Sequence, residues 1–214
     1  MRDVVILGAS GFAKDLLWIL EQQNEVRREW NILGFVDRVK TDEEPVKGYG
    51  VVGDDQWLFR YPHPVNAVCG FGNPALRRKI VQKYKSMGHT VAFPPLISPG
   101  ANVSRYTDLG EGCIICSGTM IAPNVKLGDF VILNLSCTVG HDTVIQEFST
   151  VNPGANISGD VLIQNDCEIG TGACIIQGRR LGPNTIAGAG SVIIRDIPGH
   201  CTVVGNPSRI LEKF

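Results

Sequence analysis

The chain has 214 residues, enough for one large domain or two small ones. Its 20 basic and 21 acidic residues leave a formal net charge of −1, which excludes the basic surface that nucleic acid or an acidic membrane would require. No apolar run approaches the ~18 residues of a membrane span.

Taken in chain order, residues 2–7 predict a strand running into Gly8-Ala9-Ser10-Gly11, and Leu16, Leu17 and Leu20 give the next segment one apolar helical face. The first predicted strand lies so near the start that no signal peptide fits before it, so the expected location is cytoplasmic. Strand, glycine turn and helix N-terminus together form an anion site, because free backbone N–H groups point at a phosphate. The same Gly-x-x-Gly also serves tight packing, and both readings stand. A second strand, Ile32–Val36, ends in Asp37, where an acidic side chain can meet a nucleoside hydroxyl. The run Val65–Cys69 leads into Gly70-Phe71-Gly72-Asn73-Pro74 and a helix from about Ala75. The full dinucleotide fingerprint is missing, which favours a mononucleotide over NAD. The expectation is a Rossmann-like α/β domain over residues 1–88 and a linker over 89–96 containing Pro94-Pro95.

From Ile97 a six-residue period takes over. The column Ile97, Val103, Leu109, Ile115, Ile121 and onward to Ile193 holds Ile, Leu or Val at every position except Ala187. Two residues before each aliphatic stands a mostly small side chain, such as Cys113, Thr119, Cys137, Ser149 or Cys167, and Gly often follows the aliphatic. This is the hexapeptide signature of a left-handed parallel β-helix, in which three six-residue edges close a triangular coil. The fold class is therefore α/β plus all-β, with the β-helix over 97–193 and a C-terminal segment over 194–214. The aliphatic fills the interior and the small column eases the corners.

The seven cysteines fit packing. Cys113 and Cys116 form a C-x-x-C, but no second pair completes a four-ligand zinc site, and no metal is expected. Cys116 lies one residue past an interior position and is expected to point elsewhere. Arg179-Arg180 interrupts the small column, either to hold a phosphate or as a solvated corner bulge. Phe130 and Phe148 lie 18 residues apart and should stack on one face; exposed, they would call for a subunit interface.

Of four histidines only His141 lies in the repeat; His63, His89 and His200 occupy loop-like stretches. One coil is three hexapeptides, so Gly159 should stack on His141, either to leave a slot with a backbone N–H facing a developing oxyanion or simply to ease the corner. Pro153, Thr171 and Ala189 form a second 18-residue column, a low wall of small residues on the preceding edge. Asn134 and Asn152, also one coil apart, are either a stacked ladder or, for Asn134, a substrate contact.

A glycine-turn α/β domain followed by an uninterrupted left-handed β-helix resembles the bacterial sugar O- and N-acyltransferases, typified by sialic acid O-acetyltransferase and the sugar-nucleotide 4-amino acetyltransferases. The motifs are Val5-Ile-Leu-Gly-Ala-Ser-Gly11, Gly34-Phe-Val-Asp37, Gly70-Phe-Gly-Asn73 with Arg77-Arg78, Ile132-Leu-Asn134, Val139-Gly-His141-Asp142 and Val204-Gly-Asn-Pro207. Phe12 stands where many members carry a His, and Asp142 where a Glu is common.

The resemblance implies a homotrimer using acetyl-CoA, with the nucleotide sugar held by the α/β domain and the catalytic His between subunits. Carried onto this chain, it makes His141 the general base with Asp142 beside it. Gly8, Ser10, Gly11, Phe12, Asp37 and Asn134 become substrate-binding, and Gly159, Thr171 and Ala189 line the acetyl-CoA arm. The leading expectation is N-acetylation of a nucleotide-linked amino sugar of the 4-amino-4,6-dideoxy type by direct transfer. The alternatives are sugar O-acetylation of the sialic acid type and a nucleotide-binding scaffold with a vestigial site.

Overall fold

A computed structural model describes residues 1–38, 45–86 and 91–211. Two compact units divide the chain: Met1–Gly72 with Leu76–Pro99, and Asn73–Ala75 with Gly100–Phe214. Of the histidines, His89 lies outside the described residues.

In the first unit β1 (Arg2–Leu7), α1 (Gly11–Val26), β2 (Trp30–Val36), β3 (Val51–Gly53), α2 (Asp55–Arg60), β4 (Val65–Cys69), α3 (Pro74–Ser86) and β5 (Val91–Ala92) follow in order. The strands form one parallel sheet in the order β3-β2-β1-β4-β5. Val4 to Leu7 are fully buried on both faces of β1, as a central parallel strand requires, and Leu16, Leu17 and Leu20 of α1 are buried. Strand β5 falls inside the stretch that the prolines mark as a linker. Its Val91 and Ala92 pair with β4, so the sheet continues past the predicted boundary, and residues 87–90 lie outside the described ones.

The second unit is the left-handed β-helix. Two-residue strands stack in parallel on three faces: a first running from Asn102–Val103 to Val192–Ile193, a second from Asp108–Leu109 to Arg180–Leu181, and a third from Ile114–Ile115 to Ile186–Ala187. Each strand pairs with the one 18 residues on, for instance Thr138 with Asn156 and Ile132 with Thr150. Thr202–Val204 adds a further parallel strand against Ile186–Ala187, so the coil continues beyond residue 193. The aliphatic column is buried from Ile115 to Ile193.

Two features of the coil go beyond the predicted pattern. The small column is polar for a reason. Cys113 donates to the Gly128 carbonyl, Thr119 to Asn134, Thr143 to Ser158, Ser149 to Gln164 and Cys167 to Gly182, each bond joining residues 15 apart. These side chains give corner carbonyls hydrogen-bond partners. The second feature is a column of left-handed residues. Every sixth position from Gly112 to Gly190 has φ between 54 and 74°, and Asn124, Phe130, Asp142, Phe148 and Asp160 belong to it.

Two expectations are corrected. Phe130 and Phe148 do stack, with centroids 5.1 Å apart and planes 13° apart, but they are only 1% and 7% exposed. Buried already, they give no argument for a subunit interface. Arg180–Leu181 keeps the register with Leu162–Ile163, so no bulge exists there, and Arg179 turns to Asp196 instead. Cys113 and Cys116 are both fully buried, which says nothing against their pointing different ways.

Candidate active site

The first unit offers a cavity at the carboxyl ends of its central strands, where the strand order switches direction. Leu7, Gly8, Val36, Asp37, Phe71 and Tyr84 line a space of about 270 Å³. Gly8 has φ 89°, and a Cβ on it would stand 2.8 Å from the Phe71 ring, so only glycine allows the ring to close on the turn. Ala9 N–H donates to Asp37 Oδ2 at 3.0 Å, which ties the glycine turn to the end of β2. Buried Arg77 donates to the Phe71 and Gly72 carbonyls at 2.9 and 2.8 Å and fixes the loop that presents Phe71. Ser10 is the N-cap of α1, yet its side chain makes no capping bond. The exposed first turn at Ser10 and Gly11 therefore keeps donors for an anion. A Cβ on Gly11 would touch nothing within 4 Å, and Phe12 is half-buried.

Asp55, Lys83 and Tyr84 form a polar clamp beside this cavity. Tyr84 Oη donates to Asp55 Oδ1 at 2.5 Å, Lys83 pairs with Oδ2, and Arg38 Nε lies 3.1 Å from the same oxygen. Burial works against the Asp55 carboxylate, but the bonds from Lys83 and Tyr84 outweigh it and hold the group below its ordinary range. Burial, reinforced by Asp55, pushes the Tyr84 phenol up. Sequence reasoning missed this clamp; an Asp at the start of one helix and a Lys-Tyr pair near the end of another give no local signal.

In the second unit His141 and Asp142 sit at the corner between the first and second faces. His141 Nδ1 is 2.7 Å from Asp142 Oδ2. That bond comes first, and a 3.2 Å bond from Asn124 Nδ2 to Asp142 Oδ1 second, in holding the Asp142 carboxyl below the ordinary range. An ionised carboxylate only accepts, so Nδ1 carries a proton, and in the neutral ring Nε2 keeps its lone pair. Gly159 lies against the ring: a Cβ there would stand 2.7 Å from Nε2 and 2.8 Å from Cε1. Gly159 is not among the left-handed residues, so the imidazole rather than the turn demands its bare backbone. Its carbonyl accepts from Gly178 N–H, while its own N–H has no acceptor among the described residues.

Asn134, Thr171 and Ala189 belong to a different corner, between the third and first faces, one edge away from His141 along the chain. Asn134 Oδ1 accepts from Leu135 N–H at 2.8 Å, whereas Asn152 reaches towards Glu168, so the two asparagines form no ladder. Thr171 and Ala189 are exposed, and Pro153, Thr171 and the residues beyond them stack through the Gly172 to Pro153 and Gly190 to Thr171 backbone bonds. Among the other histidines, His63 packs edge-on to Tyr61, and His200 is exposed in a left-handed turn. Burial raises the Cys137 and Cys167 thiols to about 11, which suits packing rather than nucleophilic attack. Among the described residues no group of three or more His, Cys, Asp or Glu is placed to hold a metal ion. No described helix is long and apolar enough to cross a membrane.

Residues 3–84 match the family model described as the PglD N-terminal domain. The whole chain is similar to the acetyltransferase domain of PglB from Neisseria gonorrhoeae FA1090, at 32% identity and a TM-score of 0.90, covering 99% of this chain and 100% of that one. The chain belongs to the bacterial sugar acetyltransferase family. A second similar structure is a His-to-Asn variant of perosamine N-acetyltransferase from Caulobacter crescentus in complex with CoA and GDP-perosamine. It is 30% identical to this acetyltransferase, with a TM-score of 0.91 and coverage of 100% and 98%. WeeI from Acinetobacter baumannii AYE is 28% identical with a TM-score of 0.89, over 99% of this chain and 100% of that one. Among curated relatives, the putative acetyltransferase YJL218W of Saccharomyces cerevisiae is 45% identical over 40 residues, 19% of this chain and 20% of that protein. The match thus spans about a fifth of that relative's length.

Proposed function

We propose that this acetyltransferase moves an acetyl group from acetyl-CoA to the amine of a nucleotide-linked amino sugar, of the 4-amino-4,6-dideoxy type, with His141 as general base. One observation carries the reading: an imidazole whose Nδ1 is held by a carboxylate and whose Nε2 stands against a side-chain-free residue with an unused N–H. The amine nitrogen bonds to the thioester carbon and the C–S bond breaks. The amine proton passes to His141 Nε2 and on to the leaving thiolate, so atoms and charge balance without a covalent enzyme intermediate. Gly159 N–H donates to the carbonyl oxygen as negative charge develops on it. Asp142 keeps the ring in the tautomer that leaves Nε2 free.

The Caulobacter relative, solved with CoA and GDP-perosamine, supports the substrate classes. In this chain the cavity at Gly8, Asp37 and Phe71 suits a nucleoside, and the first turn of α1 at Ser10, Gly11 and Phe12 suits its phosphates. The corner of Thr171 and Ala189 suits the pantetheine arm of acetyl-CoA, and Asn134 faces the acceptor sugar. Seven cysteines, none of them in a disulfide, support a reducing, cytoplasmic location. We extend the reading to a homotrimer, because the His141 corner and the Ala189 corner of one coil point away from each other.

The test is thiol release from acetyl-CoA over a panel of nucleotide-linked 4-amino sugars and free sialic acid, with His141→Ala alongside. Turnover on an amino sugar nucleotide, lost about 10³-fold in the variant, is the expected result. Turnover on sialic acid alone moves the assignment to O-acetylation, and no acetyl-CoA binding at all rejects an enzyme.

A further inference from the structure

The carboxylate that orients His141 is itself held from a third coil position. Asn124 and Asp142 stand 18 residues apart in the left-handed column, with φ 62° and 60°. They occupy equivalent places in successive coils, and the amide of one reaches the carboxylate of the next. Both Asp142 oxygens are engaged as a result: Oδ2 by His141 Nδ1 at 2.7 Å and Oδ1 by Asn124 Nδ2 at 3.2 Å. A carboxylate bonded through one oxygen can still tilt about its Cβ–Cγ bond, and a second bond through the other oxygen restrains its plane. We propose that Asn124 is a positioning residue for the acetyl transfer, holding the Asp142 carboxylate in the plane that keeps His141 with Nδ1 protonated and Nε2 open towards Gly159.

The left-handed turn accounts for a glycine or short polar residue at position 124, as at Gly118 and Gly154, but not for the amide–carboxylate bond. The two roles separate cleanly by substitution. Glycine keeps the turn and deletes the amide, whereas aspartate keeps the shape and replaces the donor with a charge. The charged groups around the Asp142 carboxylate are His141 beside it and Asp160 and Arg180, which share its surface recess. A new carboxylate at position 124 adds to the negative charge of Asp142 and Asp160 and stabilises the imidazolium.

This proposal rests on the general-base reading of His141, and the experiment keeps the two apart. Full-length wild type, Asn124→Gly, Asn124→Asp and His141→Ala are assayed for kcat and KM across pH with acetyl-CoA and the amino sugar nucleotide that the wild type turns over. The His141 ring nitrogens of the first three are observed by ¹⁵N NMR. Asn124→Gly is expected to lose about tenfold in kcat, the worth of one charge-assisted hydrogen bond, with KM and the thermal midpoint unchanged and His141 no longer in a single tautomer. In Asn124→Asp the acid limb of the kcat profile moves to higher pH. A wild-type tautomer and wild-type kcat in Asn124→Gly overturn the positioning role, as does a loss seen only in thermal stability. Wild-type turnover in His141→Ala overturns the general-base reading, and the catalytic consequence proposed for Asn124 with it. The NMR comparison fails or succeeds on other samples.

Discussion

A methyl group at position 159 would stand 2.7 Å from His141 Nε2, well inside van der Waals contact, and the atom it meets is the one proposed to take the proton. Gly159→Ala therefore tests the site with the smallest possible change. Position 159 is outside the left-handed column, so alanine brings no backbone strain, and the imidazole can swing outward because His141 is more than half exposed. Displacement of about 1 Å is expected to lower kcat about 100-fold while the urea midpoint stays near that of wild type. Wild-type kcat in Gly159→Ala would show that the ring does not work from this position. Gly140 makes a useful contrast at the same corner. Its Cβ would stand 2.4 Å from Gly159 N, a backbone atom that cannot step aside, so alanine there disturbs the coil itself.

At the scale of elements, the clamp of Asp55, Lys83 and Tyr84 joins the start of α2 to the end of α3, and its pKa shifts give it a pH signature. Asp55 has a folded pKa below its ordinary 3.8, so in the window between the two the unfolded chain binds a proton that the folded chain does not. Its contribution is whole above 3.8 and lost as pH falls through the folded value. Tyr84 behaves oppositely at the other end. Its pKa lies above the ordinary 10.0, so beyond that pH the unfolded phenol ionises while the folded one resists, and stability falls as pH rises. Urea unfolding followed from pH 3 to 11 should show both losses in wild type, a shallower acid slope in Asp55→Asn and a shallower alkaline slope in Tyr84→Phe. Unchanged slopes in both variants would mean that the clamp carries no stability. None of this was legible in the sequence, because Asp55 and Tyr84 are 29 residues apart and meet only through tertiary packing. The β-helix was legible for the opposite reason. One aliphatic per six residues is a local rule repeated without interruption, and with it come the 18-residue register and the stacking of Gly159 on His141. The left-handed column escaped because the residues filling it are mixed: Phe130 and Phe148 adopt it beside the glycines, asparagines and aspartates that would have marked it. The same mixture misled the reading of the two rings as exposed, when each is tucked into the corner and Phe130 lies over Gly112.

At the scale of the whole molecule, the proposed homotrimer rests on the separation of the two corners. His141 and Gly159 occupy the corner between the first and second faces, Thr171 and Ala189 the corner between the third and first. A triangular coil points its corners away from each other, so an extended substrate running past Ala189 to His141 is most simply held between the corner of one copy and the corner of the next. In the proposed homotrimer, three copies close such head-to-tail contacts into a ring with three equivalent sites. The arrangement predicts complementation. His141→Ala removes the base from a copy and leaves its Ala189 corner intact; Ala189→Trp fills that corner and leaves the base. Each variant alone is expected to be inactive. Co-expressed in equal amounts they assemble at random, and about a quarter of the sites join an intact base to an intact corner of the neighbouring copy, restoring about a quarter of wild-type turnover. Inactive mixtures whose mixed assembly is verified by differential tagging would mean that both corners of each site come from one chain.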